Sequence, residues 1–325
     1  MFRKAAVAAA AFLAAAPALA DPALVYSSGG KFDKSFNEGA WNGAKAWAAE
    51  TGGSFGEFEI ASPAQSEQAL RTFARRGYSP VVAIGFTHAN ALAKVAPEFP
   101  DTQFAIVDMV VDAPNVQSIV YREHEGGYVV GLIGALTSKS KILGFVGGMD
   151  IPLIRKFECG YRQGAAAAAT PAKVLSNMTG TTPAAWSDPA RGAELAAAQI
   201  AQGADVVMQA AGGTGIGVLQ AAADNGALGI GTDSNQNGLH PGKILTTMLK
   251  RVDVAVQRVF AEGGWQPGID SLGVAEGGIG WALDEHNRAL VTPEVEAAAD
   301  AAMAAIDAGE ISVHDSSMQG PCPVE

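Results

Sequence analysis

Short apolar runs rich in β-branched residues alternate along the chain with alanine-rich stretches of helical character. The runs at 22–27, 80–85, 103–108, 116–121, 142–147, 173–178, 205–209, 228–232 and 244–248 have the length and composition of strands. Helices are expected between most of them, among others over 36–51, 66–76, 125–137, 189–202 and 215–225. Such alternation is the signature of βαβ units and predicts an α/β protein with parallel sheets covered on both faces. Two sheets of four to six strands suit the length better than one large sheet. Local signals agree: Ser35-Phe36-Asn37-Glu38 reads as a capping box at a helix start, and Gly77 and Gly203 sit where helix C-caps are expected.

The first twenty residues belong to a different pattern. Met1-Phe2-Arg3-Lys4 is a short basic region, residues 5–16 are apolar throughout, and Pro17-Ala18-Leu19-Ala20 ends in the small-residue spacing of a signal peptidase site. We expect a cleaved signal peptide over 1–20, with Asp21 as the mature N-terminus. Loss of Arg3 and Lys4 takes the formal charge of the 325-residue chain from −11 to −13. An acidic surface repels phosphate backbones, so nucleic acid is not an expected partner. No cysteine stands near the cleavage point, so the expectation is an exported, periplasmic protein without a lipid anchor.

Two cysteines, Cys159 and Cys322, admit a single pairing, and export to an oxidising compartment favours it. The five histidines show no metal-ligand spacing. Neither a metal nor a cofactor is expected.

Polar residues and glycines fall repeatedly just after strands: Ser27-Ser28-Gly29-Gly30, Gly85-Phe86-Thr87-His88, Asp108, Ala211-Gly212-Gly213-Thr214-Gly215 and Thr232-Asp233-Ser234-Asn235. In open α/β sheets ligands bind there, where loops and helix N-termini converge. With two sheets facing each other, the site lies in the cleft between domains. The glycine run from Gly212 fails the dinucleotide pattern, because Val218 stands where its third glycine belongs. No P-loop, G-x-S-x-G elbow or H-E-x-x-H occurs, so three large enzyme classes lack their marks.

Several segments together resemble one family. They are the stretch from Gly29 to Asn37, Phe104-Ala105-Ile106-Val107-Asp108, the stretch from Gly147 to Ile154, the Gln209–Gly215 stretch, Gly231-Thr232-Asp233-Ser234 and Leu249-Lys250-Arg251-Val252-Asp253. In that order they resemble the basic membrane protein family of ABC-transporter substrate-binding proteins, including purine nucleoside receptors of the PnrA type. The resemblance spans almost the whole mature chain. It implies a type I periplasmic-binding protein fold: two doubly wound parallel-sheet domains with a hinge and an interdomain ligand cleft.

By the same resemblance, Phe36 and Trp186 would stack on a purine, with Asn37 and Asp108 contacting the base. Gly213 would lie against the ligand, and Asp233 and Lys250 would hold the ribose hydroxyls. Asp33 would contact the ligand or support those that do. The residue types suit a nucleoside on their own account. Aromatic rings stack on a flat base, carboxylates accept from ring N–H and hydroxyl groups, and Lys250 would keep Asp233 from being an unpaired charge. Three carboxylates in one cleft disfavour a phosphate, so a nucleoside is expected over a nucleotide. Trp186, where the family usually has Phe, could admit a larger flavin-like or modified base.

We therefore expect a monomeric, non-enzymatic receptor that delivers a purine nucleoside to a membrane permease. The competing reading is an exported nucleoside hydrolase using paired carboxylates. One lobe is expected over 21–121 plus about 249–280, the other over 122–248 plus about 281–325.

Overall fold

The computed structural model describes residues 20–324, so the expected signal peptide, save Ala20, lies outside the described residues. Two six-stranded sheets form the protein. The first lobe holds β1 (Ala23–Tyr26), β2 (Gly56–Glu59), β3 (Val81–Ile84), β4 (Phe104–Val107) and β5 (Val116–Tyr121), joined through α1 (Phe36–Thr51), α2 (Ser66–Arg75) and α3 (Ala89–Val95). The second lobe opens with α4 (Glu123–Thr137). It continues through β6 (Ile142–Met149), α5 (Pro152–Ala167), β7 (Lys173–Gly180), α6 (Pro189–Ala201), β8 (Val206–Ala210), α7 (Gly215–Asp224), β9 (Leu228–Asp233) and β10 (Ile244–Lys250). The chain then returns to the first lobe for α8 (Val252–Phe260), which packs on α1, and β11 (Gly268–Leu272). It ends in the second lobe with β12 (Ile279–Trp281) and α9 (Pro293–Asp307), which packs on α4.

The strand orders are β11-β5-β4-β3-β1-β2 and β12-β10-β9-β8-β6-β7, the same winding used twice. All pairings are parallel except β10–β12. The central strands Ala-Leu-Val-Tyr, Val-Val-Ala-Ile and Phe-Ala-Ile-Val are buried at every position, because helices cover both sheet faces. All nine expected strands are present.

Three strands escaped the sequence reading, and each lies at a sheet edge. β2 reads Gly-Glu-Phe-Glu and is largely exposed, β11 is exposed at three of five positions, and β12 is three residues long. β2 and β11 bury little and carry charge, and β12 is too short, so none shows the apolar run that marks a central strand. The lobe crossings differ from those expected at about 249 and 281. β10 carries the second sheet on to Lys250 because Leu249 pairs with Asp233 and Lys250 with Ile279; β12 rejoins that sheet already at Ile279.

Cys159 on α5 and Cys322 in the C-terminal tail form a disulfide, which ties the tail to the second lobe. Among the described residues, no helix is long and apolar enough to cross a membrane.

Candidate functional site

The C-terminal ends of the central strands of both sheets face one pocket, with about 690 Å³ of unfilled space that is partly open to solvent. A concave site where strand ends and helix N-termini of two lobes converge is the expected place for a small molecule. Asp33, Phe36, Asn37, Asp108, Trp186, Gly213, Asp233 and Lys250 all line it. Each lobe supplies one half-buried aromatic: Phe36 at the first position of α1, and Trp186 in the turn before α6. Each also supplies one aspartate directly at the end of a central strand, Asp108 after β4 and Asp233 closing β9.

Both aspartates hold a left-handed backbone, φ 69° at Asp108 and φ 70° at Asp233. Few residues other than glycine tolerate that region, and where it occurs it clusters at binding sites.

Helix α1 is not started by Ser35. Asp33 is the cap: its Oδ1 accepts from the Ser35 and Glu38 N–H groups (2.9 and 3.1 Å) and its Oδ2 from the Asn37 N–H (3.0 Å). Glu38 reaches back to the Lys34 N–H instead of Ser35. Asp33 thus supports the site by fixing the turn that presents Phe36. The Ser35 hydroxyl is released for the other lobe, donating to Asp233 Oδ2 at 2.5 Å. Two neighbouring bonds close the same seam: Ser234 Oγ donates to the Ser35 carbonyl, and Gln236 Nε2 to that of Lys34. The lobes are therefore in contact at the pocket's rim.

Asn37 lines the pocket, but its amide is turned to the loop after β1, bonding the Ser27 and Gly30 carbonyls and the Ser27 N–H and hydroxyl. Gly213 sits where both lobes meet; a Cβ there would lie 3.1 Å from the Trp186 carbonyl oxygen and 3.6 Å from that of Gly29. Lys250 does not pair with Asp233 as the sequence suggested. Its Nζ lies 2.6 Å from Asp108 Oδ1 and 3.0 Å from Glu123 Oε1, because β10 ends opposite β4 and beside the start of α4. The ammonium also stands 5.2 Å from the Phe36 ring centroid, within cation–π reach. Burial, together with the nearby Glu123 carboxylate, pushes Asp108 up to about 6 against the pull of Lys250. Burial likewise raises Asp233, with Lys250 and the Ser35 hydroxyl opposing it.

Three lining residues were not assigned to the site from the sequence: Leu153, Ile154 and Phe157 form an apolar wall on the first turns of α5. The strand-end residues Ser27 and Thr87 add hydroxyls. The Thr87 Oγ1 is buried without a protein partner. Behind the wall lies Glu123, with no exposed surface. Its signal was present in Arg122-Glu123-His124-Glu125, a dense charged run directly after a strand.

The family described as ABC transporter substrate-binding protein, PnrA-like, matches residues 22–315. A protein of Lactococcus lactis subsp. cremoris, named ABC transporter nucleoside-binding protein BmpA, is 31% identical over 317 residues, covering 90% of this chain and 88% of its own. An uncharacterized lipoprotein of Pyrococcus abyssi is 34% identical over 285 residues, covering 81% of this chain and 69% of its own. The crystal structure of a solute-binding protein of an ABC transporter system from Aeropyrum pernix superposes with a TM-score of 0.80 at 29% identity, covering 90% of this chain and 92% of that one. The chain belongs to the PnrA-like family of ABC transporter substrate-binding proteins, and its fold is the type I periplasmic-binding fold.

Proposed function

We propose that this member of the family is a periplasmic receptor that closes on a purine nucleoside and presents it to an inner-membrane ABC permease. The observation that carries the reading is the paired arrangement of the pocket: one aromatic and one strand-end aspartate from each lobe. A flat ring between Phe36 and Trp186 gains about 1–3 kcal/mol per stacking contact. Asp108 and Asp233 accept from ring N–H and sugar hydroxyl groups, and Lys250 donates. A ligand that contacts both lobes favours the closed state. The nucleoside-binding name of the Lactococcus relative supports the same ligand class.

Asp108 is held by Lys250 and Asp233 by Ser35, an arrangement for accepting hydrogen bonds rather than for the free general base a hydrolase needs. A second flat ligand class, a flavin or modified base, is favoured only by the larger face of Trp186. We further propose that the receptor acts as a monomer, and that Cys159 and Cys322, being joined to each other, carry no lipid. Isothermal titration with inosine, guanosine and adenosine tests the ligand. Stoichiometric heat, a raised melting temperature and recovery of intact nucleoside are expected. No heat with any of the three would overturn the nucleoside reading, and release of free base would favour the hydrolase.

A further inference from the structure

Five buried charged groups cluster where the chain crosses between lobes: Asp108, Asp233 and Lys250 line the pocket, and Glu123 and Lys156 lie behind them. Asp108 belongs to the first lobe, while Lys250 is the last residue before the second crossing. Glu123 is the second residue after the first crossing, and Lys156 projects from α5. Lys250 Nζ contacts both Asp108 (2.6 Å) and Glu123 (3.0 Å). Lys156 Nζ contacts the other Glu123 oxygen at 2.5 Å and donates to the Tyr121 carbonyl at 2.8 Å. Asp233 is the fifth member, reaching Asp108 and Lys250 through the field rather than by contact.

Two ammonium groups thus face three carboxylates, and burial makes every unmatched charge expensive. Burial alone would raise Glu123, but it contacts both lysines, and they hold it below the usual carboxylate range. Asp108 contacts one lysine and shares it. The remaining neighbours do not redress the balance. Tyr121 on β5 carries no charge at neutral pH, burial keeps His124 on α4 from gaining one, and Asp315 in the tail, 3.8 Å from His124, adds one more carboxylate to the field at Lys156. Neither Glu123 nor Lys156 lines the pocket.

We infer that Glu123 and Lys156 are positioning residues which set the charge of Asp108 from outside the pocket, by dividing Lys250 between two carboxylates. The inference rests on the receptor reading only for its consequence, that a ligand donating to Asp108 meets an ionised carboxylate. Neutralising Glu123 hands Lys250 wholly to Asp108 and stabilises its charge. Removing the Lys156 ammonium makes Glu123 lean on Lys250 and weakens the hold on Asp108. The two substitutions therefore act in opposite directions, which mere loosening of the hinge would not produce.

Carbon-13 carboxyl NMR of the ligand-free protein, with the Asp108 signal assigned by its loss in Asp108→Asn, reads the effect directly. Glu123→Gln is expected to lower the Asp108 midpoint by about one pH unit, and Lys156→Met to raise it by about as much. Unmoved midpoints, or shifts in the same direction, overturn the inference. Should Glu123→Gln fail to fold, the upward shift in Lys156→Met decides alone. Guanosine titrations between pH 5 and 8 on the same proteins carry the consequence: the acid limb of the affinity profile follows the midpoint. A wild-type protein that binds no nucleoside would sink the receptor reading and leave the NMR midpoints as the test of the charge relay.

Discussion

Gly148, near the end of β6, makes room for the indole of Trp186. A Cβ built at this position would stand 2.1 Å from Trp186 Cζ3, 2.5 Å from Cε3 and 2.7 Å from Cη2. An ordinary van der Waals contact begins near 3.4 Å, so Gly148→Ala must displace the ring by about 1.3 Å. The Trp186 carbonyl already lies against Gly213, which limits retreat along the seam and leaves the pocket as the open direction. The methyl group should thus convert a stacking face into an obstruction. Loss of one base–aromatic contact corresponds to about 1–3 kcal/mol, or roughly a 5- to 150-fold weaker Kd for guanosine. Calorimetric titration of wild type, Gly148→Ala, Trp186→Ala and the double variant measures it. If the alanine acts through the indole, Trp186→Ala should cost little more in the Gly148→Ala background. Wild-type affinity in a folded Gly148→Ala protein, or losses that simply add, would refute the reasoning.

Two further outcomes concern stability. Cys322→Ser should unfold at lower temperature than wild type by the equivalent of about 2–5 kcal/mol, and a reductant should bring wild type down to the variant. Equal melting temperatures in oxidising buffer would show that the Cys159–Cys322 bond holds nothing the tail does not hold unaided. His88 is buried with its Nδ1 2.9 Å from Ser66 Oγ, and burial pushes its pKa down to about 4. Its lowered pKa contributes stability that is complete above about pH 6.5 and is lost as the pH falls towards 4. The stability advantage of wild type over His88→Asn, from urea unfolding, should shrink by about 2.5 kcal/mol between pH 7.5 and 4.5. A constant difference across that range would mean that the ring is not held neutral.

The central strands were legible because burial on both faces leaves an unbroken apolar run, and helix α1 over Phe36–Thr51 was placed to the residue. The site was legible as a set of positions, since strand ends and glycine turns are punctuated in the sequence. The division of labour within the set was not. Asp33 and Ser35 both qualify chemically as helix caps, and only the seam between lobes shows that Asp33 caps while Ser35 faces Asp233. Lys250 could have met any carboxylate at a strand end, and only the fold brings the end of β10 to Asp108 and Glu123. Glu123 stayed hidden because a charged run after a strand reads as solvated surface until the fold buries it against Lys156 and Lys250.

The repeated winding of the two sheets bears on the proposed closure around a ligand. Counting outward from β1 and β6, β4 and β9 hold equivalent places, so Asp108 and Asp233 are counterparts, each turned into the cleft by a left-handed residue. Closing the lobes brings these carboxylates towards each other out of water, which raises the free energy of both charges. The protein offsets part of that cost itself, with Lys250 at Asp108 and the Ser35 hydroxyl at Asp233. Each of these partners comes from the lobe opposite the aspartate it meets. What remains is hydrogen-bond accepting capacity on both sides of one pocket, between two aromatic faces. A flat ligand with donors at both ends supplies what is missing, whereas a phosphate would add charge of the wrong sign. The uncharged nucleoside proposed above therefore suits a site that uses one strand-end aspartate twice, once in each lobe.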